Sequence, residues 1–314
     1  LVGDWVKRAL LTQGPHGLCL ADGATVDLPD DIHMVWEDRV QNVFTGQSQR
    51  AITAIELAAV LGQYVSGEEW QTLCEMQQIP VPKTLVETLF MDQLAKPDDE
   101  AGDGSWAFVH RMLTESIVRR AREAGREPGH HQACAEMLTT LDSEVHAERI
   151  GRHFLSAGLD RDALSPLIIA ADKRHQNGDY RRAALLLEER NEAMNRLGLS
   201  DEDELRVLGW VLQVRCMGKQ VHADKEVAEQ VARRAVNTAS KQGLHALHAE
   251  ALAELASLQI TQRQLEDATA SLAAAKELSR DAMSADVRSR FALVSGSVAA
   301  HDGRLDDAKA ALEE

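Results

Sequence analysis

Aromatic residues are scarce in this sequence, whose 314 residues include only five tryptophans, two tyrosines and five phenylalanines. All-β domains usually need more aromatic and β-branched side chains to form their sheets. Alanine and leucine, which favour helices, recur throughout the chain. Only seven prolines interrupt it, which leaves room for long helices. The composition therefore predicts a mostly α-helical protein with at most a small β element.

Positive charge is also in deficit, because 34 lysines and arginines face 50 aspartates and glutamates, for a net charge of −16. This balance repels a phosphate backbone and disfavours nucleic-acid binding. Cys19, Cys74, Cys134 and Cys216 are scattered without a CxxC pair, as expected for buried thiols in the reducing cytoplasm. No apolar run approaches the roughly 20 residues that span a bilayer, so we expect no membrane partner.

The sequence lacks the motifs that position phosphates, metals or nucleophiles. The pair Gly218-Lys219 is followed by glutamine and has no upstream glycine at the spacing of a nucleotide-binding P-loop. No GxGxxG, HExxH or GxSxG segment occurs. We therefore expect no catalytic residue and no cofactor within this segment.

Two histidine clusters have spacings from which metal ligands can come. They are His130, His131 and Cys134, and the pair His245 and His248. No further carboxylate or thiol at metal-site spacing accompanies either set. We therefore favour surface or packing roles and predict no metal site.

The first third of the chain carries cap, turn and periodicity signals for a run of helices and a hairpin. The predicted elements are a helix at 1–12, a β-hairpin at 17–28 around Asp22-Gly23, helices at 29–44, 49–61, 66–76 and 82–94, a turn at 96–104, a strand at 106–108 and a helix at 111–122. Three helices followed by a hairpin wing is the order of a winged-helix domain, which we assign to residues 30–125.

Many winged-helix domains bind DNA through their third helix and their wing. Here the third helix has Lys83 beside Glu87 and Asp92. The wing contains further carboxylates, at Asp98, Asp99, Glu100 and Asp103. Both surfaces that would face phosphates are acidic, so we favour packing against another domain, with DNA binding as the alternative.

A repeat begins after residue 142, in the frame of tetratricopeptide (TPR) hairpins. Its positions are Gly178, Tyr180, Ala183 and Leu187 in one copy, Ala268 and Leu272 in a second, Gly303, Ala308 and Leu312 in a third, and Ala228 in a weaker copy. The alanines lie 40 to 45 residues apart, longer than the standard TPR period of about 34. Small residues precede each strong turn, at Ala171, Ala256 and Gly296, where the two helices of a hairpin must cross closely.

These signals predict a mostly α protein, in which a winged-helix domain with a small β wing precedes a TPR-like α-solenoid over residues 126–314. Hairpins of this kind bury their apolar faces by stacking, and the concave surface of the stack binds a protein or peptide. A stack that serves only as a spacer is the alternative that the sequence leaves open.

His110 occupies a position where a helix N-terminus can meet an anion. It follows the predicted strand 106–108 and precedes the helix that begins at Arg111. The positive end of that helix can bind a phosphate. The alternative is a histidine whose hydrogen bonds are satisfied within the strand–helix junction. The helix and its end contain five arginines, at Arg111, Arg119, Arg120, Arg122 and Arg126, for which a solvated face is the simplest interpretation.

Three segments resemble the region that follows the nucleotide-binding core in STAND-type signalling ATPases, which are relatives of the AAA+ ATPases. They are LPDDIHMVWEDR at 28–39, ELAAVLG at 56–62 and FVHRMLTE at 108–115. ERIGRHFLSAG at 148–158 and GDYRRA at 178–183 look like the TPR array that follows in such proteins. The resemblance is nearest to bacterial fusions of a Ser/Thr protein kinase, an ATPase module and repeats. Adenylate cyclases and transcription regulators carry similar halves.

The resemblance implies that residues 1–29 are the tail of an ATPase module and that residues 30–125 contain its winged-helix domain. His110, followed by Arg111, matches the position that contacts the phosphate of a bound nucleotide and holds the resting state. The P-loop, the Mg²⁺-binding acid and the kinase motifs are absent from these residues, so this segment is not expected to hydrolyse ATP. We expect ATP or ADP with Mg²⁺ in a domain upstream of Leu1. Such repeats often have alanine ten residues after the turn position, so Arg190 predicts looser packing of that hairpin.

The expected function is a regulatory and sensory arm of a cytoplasmic signalling ATPase, with a Ser/Thr protein kinase as its effector. The expected partners are a protein or peptide on the repeats and the ATPase and effector domains in cis. A transcription regulator with a DNA-binding winged helix and a free-standing TPR scaffold are the alternatives.

Overall fold

Helices dominate the structure of this chain. A computed structural model describes residues 11–14, 17–20, 32–98, 100, 102–219, 224–278, 285–301 and 303–313. Within these residues the chain is mostly α-helical with small β elements, which confirms the prediction from composition. It divides into two compact units between Thr140 and Leu141, one helix beyond the predicted boundary after residue 125.

An antiparallel ribbon forms the first described element. Strand β1 (Leu11–Gly14) pairs with strand β2 (Gly17–Leu20), with Leu11 opposite Leu20. The prediction that Leu11 and Thr12 end a helix is therefore wrong, because only two residues separate the strands, and so short a connection joins antiparallel partners. The rest of the predicted helix, residues 1–10, and the second arm of the predicted hairpin lie outside the described residues.

The described helices of the N-terminal unit follow the predicted order. They are α1 (Ile32–Phe44), α2 (Gln49–Leu61), α3 (Gly67–Met76), α4 (Lys83–Met91), α5 (Arg111–Glu123) and α6 (Glu127–Leu141). Serine side chains cap two of them, since Ser48 Oγ accepts from the Ala51 amide at 3.2 Å and Ser66 Oγ from the Glu69 amide at 3.4 Å. The capping box that begins at Ser66 therefore marks the start of α3 as predicted, and apolar periodicity placed the start of α2 at Gln49.

A small antiparallel sheet joins these helices. It contains β3 (Tyr64–Val65), β4 (Ala95–Pro97) and β5 (Trp106–Phe108) in the order β3-β5-β4. The prediction of a strand at 106–108 is confirmed, whereas β3 was missed because two residues show no periodicity. Trp106 contacts Trp70 and Phe108 edge-on at 5.4 and 4.7 Å between ring centroids, so several of the few aromatic residues meet in this core.

The C-terminal unit is a succession of helices. They are α7 (Ala147–Ser156), α8 (Asp160–Gln176), α9 (Tyr180–Arg196), α10 (Glu204–Lys219), α11 (Lys225–Gln242), α12 (His245–Thr261), α13 (Leu265–Leu278), α14 (Ala285–His301) and α15 (Leu305–Glu313). From α7 onward, each described helix packs against the next, and α8, α10, α12 and α14 contact one another in turn. This alternation stacks the helices as successive hairpins.

Small residues allow these helices to cross closely. Ala171, Ala183, Ala228, Ala256, Ala268 and Ala308 are all 6% exposed or less, and Gly296 is buried as well. Gly178 and Gly303 turn the chain between two helices with φ of +80° and +75°. At the matching position between α12 and α13, Arg263 adopts φ of +63°, a conformation that costs a residue with a Cβ more than it costs glycine.

Arg190 corrects the expectation of looser packing. Its side chain is 1% exposed, and its guanidinium donates to the Leu164 carbonyl at 3.0 Å and to the Leu205 carbonyl at 2.8 Å. Burial lowers the pKa of Arg190 to about 10. A Cβ on Gly209 would lie 2.9 Å from Arg190 Nη1, so the missing side chain on α10 leaves room for this arginine.

Candidate functional site

His110 begins helix α5 and is held in one ring orientation. Its Nδ1 atom accepts a hydrogen bond from the Met112 amide at 3.1 Å, which makes it a side-chain N-cap. Because Nδ1 is the acceptor, the proton of the neutral ring lies on Nε2. The exposed ring therefore presents an N–H donor beside the positive end of a helix.

Trp36 packs against the His110 ring. The two rings are stacked, with centroids 5.3 Å apart and planes inclined by 22°. On the same indole, the Arg39 guanidinium carbon lies 5.3 Å from the ring centroid, and Arg39 Nη2 donates to the Asp92 carbonyl at 3.0 Å. The cap and the stack together leave His110 little rotational freedom. Trp36 and Arg39 were not predicted as neighbours of His110, although both lie in the segment 28–39 that carries the resemblance.

Arg111 lines a cavity of about 460 Å³ in the N-terminal unit. Arg119 and Arg122 line the same cavity, together with Glu115 and the end of α2. Arg111 is 80% exposed and forms an ion pair with Glu115 at 2.9 Å. The Nε and Nη2 atoms of Arg119 are buried and donate no hydrogen bond. Arg119 Nε also lies 4.0 Å from Glu37 Oε1, and Arg122 is paired with Glu127 at 2.5 Å, so carboxylates offset the positive charge of this cavity.

Helix α2, whose end lines that cavity, also carries a buried carboxylate. Glu56 on α2 is fully buried and accepts two hydrogen bonds from Arg126, at 2.7 and 3.0 Å. His130 Nε2 lies 2.9 Å from the same carboxylate. Burial alone would raise the pKa of Glu56, but the bonds to His130 and Arg126 outweigh it and lower the pKa. This contact joins α6 to α2, and it gives His130 a carboxylate partner within the core.

In the other histidine pair, His245 is exposed and His248 is half-buried. Burial, with a contribution from His245, lowers the pKa of His248. Burial likewise raises the pKa of Cys74 to about 12 and of Cys216 to about 11, which keeps these thiols protonated. The residues described here contain no group of three or more histidine, cysteine, aspartate or glutamate side chains arranged to hold a metal ion.

A second cavity, of about 340 Å³, lies within the C-terminal unit. Its lining residues belong to α8, α10, α12 and α14, which are the first helices of successive hairpins. Arg215 lines it and is held by carboxylates of α12, with Glu254 at 2.6 Å and Glu250 at 2.8 Å. Arg215 was not predicted, because its partners lie 35 and 39 residues away in sequence.

No protein-family model matches the chain. Comparisons with curated proteins and with solved structures find no match either. Among the described helices, none is long and apolar enough to cross a membrane. The interpretation of the site therefore depends on its geometry.

Proposed function

We propose that this chain is the regulatory and sensory arm of a signalling ATPase, in which His110 reports the state of a nucleotide to partner-binding repeats. The observation that carries this proposal is the fixed orientation of His110 at the start of α5, with its Nε2–H left to donate. A donor fixed in place beside a helix N-terminus binds a phosphate without first losing rotational freedom.

The order of elements around His110 supports a winged-helix domain. Helix α2, strand β3, helices α3 and α4, and strands β4 and β5 follow one another, and the sheet order is β3-β5-β4. A three-helix core with a two-stranded wing uses this order. His110 comes directly after the wing, so a movement of the wing would be transmitted to it.

The hairpins support TPR-like repeats as the sensory part. Buried alanines lie where paired helices cross, and the first helices of successive hairpins share one cavity. A cavity shared by several repeats suits an extended protein or peptide segment better than a small molecule. The proposed effector is a Ser/Thr protein kinase, as the sequence resemblance implies.

The test compares His110→Ala with wild type in the parent protein loaded with fluorescent ADP. We expect ADP release to accelerate about tenfold, as for the loss of one hydrogen bond to a charged group. The matched control is His146→Ala, since His146 also precedes a helix but makes no side-chain cap.

Equal ADP release from the His110 variant and wild type would contradict the nucleotide-sensing role. A parent protein without a nucleotide-binding domain, or partner capture that is identical with ATP, ADP and no nucleotide, would favour the free-standing scaffold instead.

A further inference from the structure

A groove of about 670 Å³ opens on the N-terminal unit between α3, α4 and the β4–β5 hairpin. Its apolar lining comes from Trp70, Val81, Val86, Phe90, Pro97 and Trp106. This groove is separate from His110 and from the arginine-lined cavity, and neither the cap nor the stack described above uses it.

The charge of the groove is negative. Glu68, Glu75, Glu87 and Asp103 line it, against the single cation Lys83. Glu75 accepts a hydrogen bond from Gln71 at 2.8 Å, whereas Glu68, Glu87 and Asp103 form no ion pair with any residue described in the structure. Carboxylates that stay unneutralised around an apolar floor attract a cationic ligand.

Trp106 supplies an independent sign of a missing ligand. It lines the groove, its side chain is 2% exposed, and its one polar atom, Nε1, donates to no group. The neighbouring Trp70 shows the usual arrangement, because its Nε1 donates to the Ala54 carbonyl at 2.8 Å. Buried indole N–H groups ordinarily have an acceptor, so Trp106 retains a donor for one.

The mouth of the groove is preformed. A Cβ on Gly67 would lie 2.5 Å from the Asp103 carbonyl oxygen, so the β4–β5 hairpin packs directly on the start of α3 at Asp103. The Gly67 amide also donates to Ser105 Oγ at 3.1 Å. The backbone of Asp103 is therefore packed against the start of α3 before a ligand binds.

We propose that this groove binds a basic segment of a partner protein. A backbone carbonyl of the segment accepts from Trp106 Nε1–H, while the stem of a lysine or arginine packs on Val86 and Phe90. The cationic heads of the segment meet Glu68, Glu87 and Asp103. The chain itself carries a charge of −16, so a second copy is a poorer occupant than a cationic partner, and phosphates are repelled.

The test uses the full chain and a short peptide of alternating leucine and arginine, followed through the indole N–H signals in two-dimensional NMR. The counterpart peptide has glutamate in place of arginine. The arginine peptide is expected to shift the Trp106 indole signal, with an affinity that falls as salt is raised, whereas the glutamate peptide leaves it unchanged.

Carboxylate variants decide where the peptide binds. The double variant Glu68→Gln with Glu87→Gln is expected to weaken binding about tenfold, because two screened charge contacts are lost. The double variant Glu123→Gln with Glu136→Gln, on the exposed surfaces of α5 and α6, makes the same change of charge outside the groove and is expected to have no effect. Equal binding of both peptides, an unshifted Trp106 signal, or equal affinities of the Glu68/Glu87 and Glu123/Glu136 variants would overturn the proposal.

Discussion

The N-terminal and C-terminal units of this chain hold their helices together with different side chains. In the N-terminal unit, Trp70, Trp106 and Phe108 fill the space between helices and a short sheet. In the C-terminal unit, buried alanines such as Ala183 and Ala268 let pairs of helices cross closely. An irregular arrangement leaves wide gaps that need large side chains, whereas a regular hairpin needs small ones at the same place in each repeat.

The two units also treat charge differently. The N-terminal unit buries Glu56 completely between Arg126 and His130. In the C-terminal unit, the ion-paired carboxylates keep part of their surface exposed, and Glu148, at 17%, accepts from both Arg174 and Arg182. Surface pairs contribute little each, whereas removing one member of a buried pair is costly. The comparison teaches that the N-terminal unit depends on single contacts and the C-terminal unit on many similar ones.

The substitution Glu56→Ala should distinguish the two units most strongly. It leaves Arg126 without its partner at the edge of the core, and we expect the free energy of unfolding of the N-terminal unit to fall by about 3–5 kcal/mol. Hydrogen exchange in α2 and α6, measured in the full chain, reports this loss separately from the C-terminal unit. The control Glu115→Ala removes an exposed pair and should cost about 0.5 kcal/mol or less.

Lowering the pH tests the Glu56 contact without a substitution that leaves a cavity in the core. The pKa of Glu56 in the folded state is lowered from an ordinary value of 4.5, so its contribution is fully present above pH 4.5 and is lost as pH falls through the lowered pKa. We expect α2 and α6 to lose exchange protection in this acidic range. In Glu56→Gln the same range should bring a smaller loss, and an unchanged acid profile would mean that Glu56 is not the group responsible.

An overpacked alanine tests the regularity of the C-terminal unit. Ala268→Leu inserts three carbons where α13 crosses α12, and we expect a loss of about 1–3 kcal/mol in unfolding free energy. Ala270→Leu, on the exposed face of the same helix, should be nearly neutral. Exchange in α12 and α13 distinguishes the two variants. Equal protection in both would show that the crossing is loose enough to accept leucine.

The smallest expected effect concerns the turn between α12 and α13. Arg263→Gly should stabilise the C-terminal unit by about 0.5 kcal/mol, because the relief of a positive φ exceeds the extra freedom that glycine has in the unfolded chain. Gln262→Gly, one residue earlier and at φ of −94°, should give no gain. Urea unfolding of both variants checks the sign, and stabilisation by both would point to a general effect of glycine in this turn.

Local signals predicted the individual elements well. Ser66 marks a helix start because a serine cap acts within three residues, and Gly178 marks a turn because only its own φ is involved. Strand β1 was predicted as part of a helix, since the pairing of Leu11 with Leu20 is not encoded in the alternation of either strand alone. Helix caps and turns, which depend on a few neighbouring residues, were therefore predicted correctly more often than the pairing of strands.

The candidate sites divide in the same way. His110 could be singled out from its place between a strand and a helix, but its neighbours Trp36 and Arg39 could not. Arg190 was expected to loosen a hairpin and instead binds two carbonyls that lie 15 and 26 residues away. The groove around Trp106 had no local signal, since its wall comes from two helices and a hairpin.

The sequence by itself determined the helical class, the positions of helices α1 to α5, and the period of the C-terminal hairpins. These features depend on propensity, caps and spacing, all of which act over a few residues. The tertiary structure alone decided which side chains meet, including Glu56 with Arg126 and His130. Such contacts join residues 70 or more positions apart, and their free energy depends on burial, which exists only once the chain has folded.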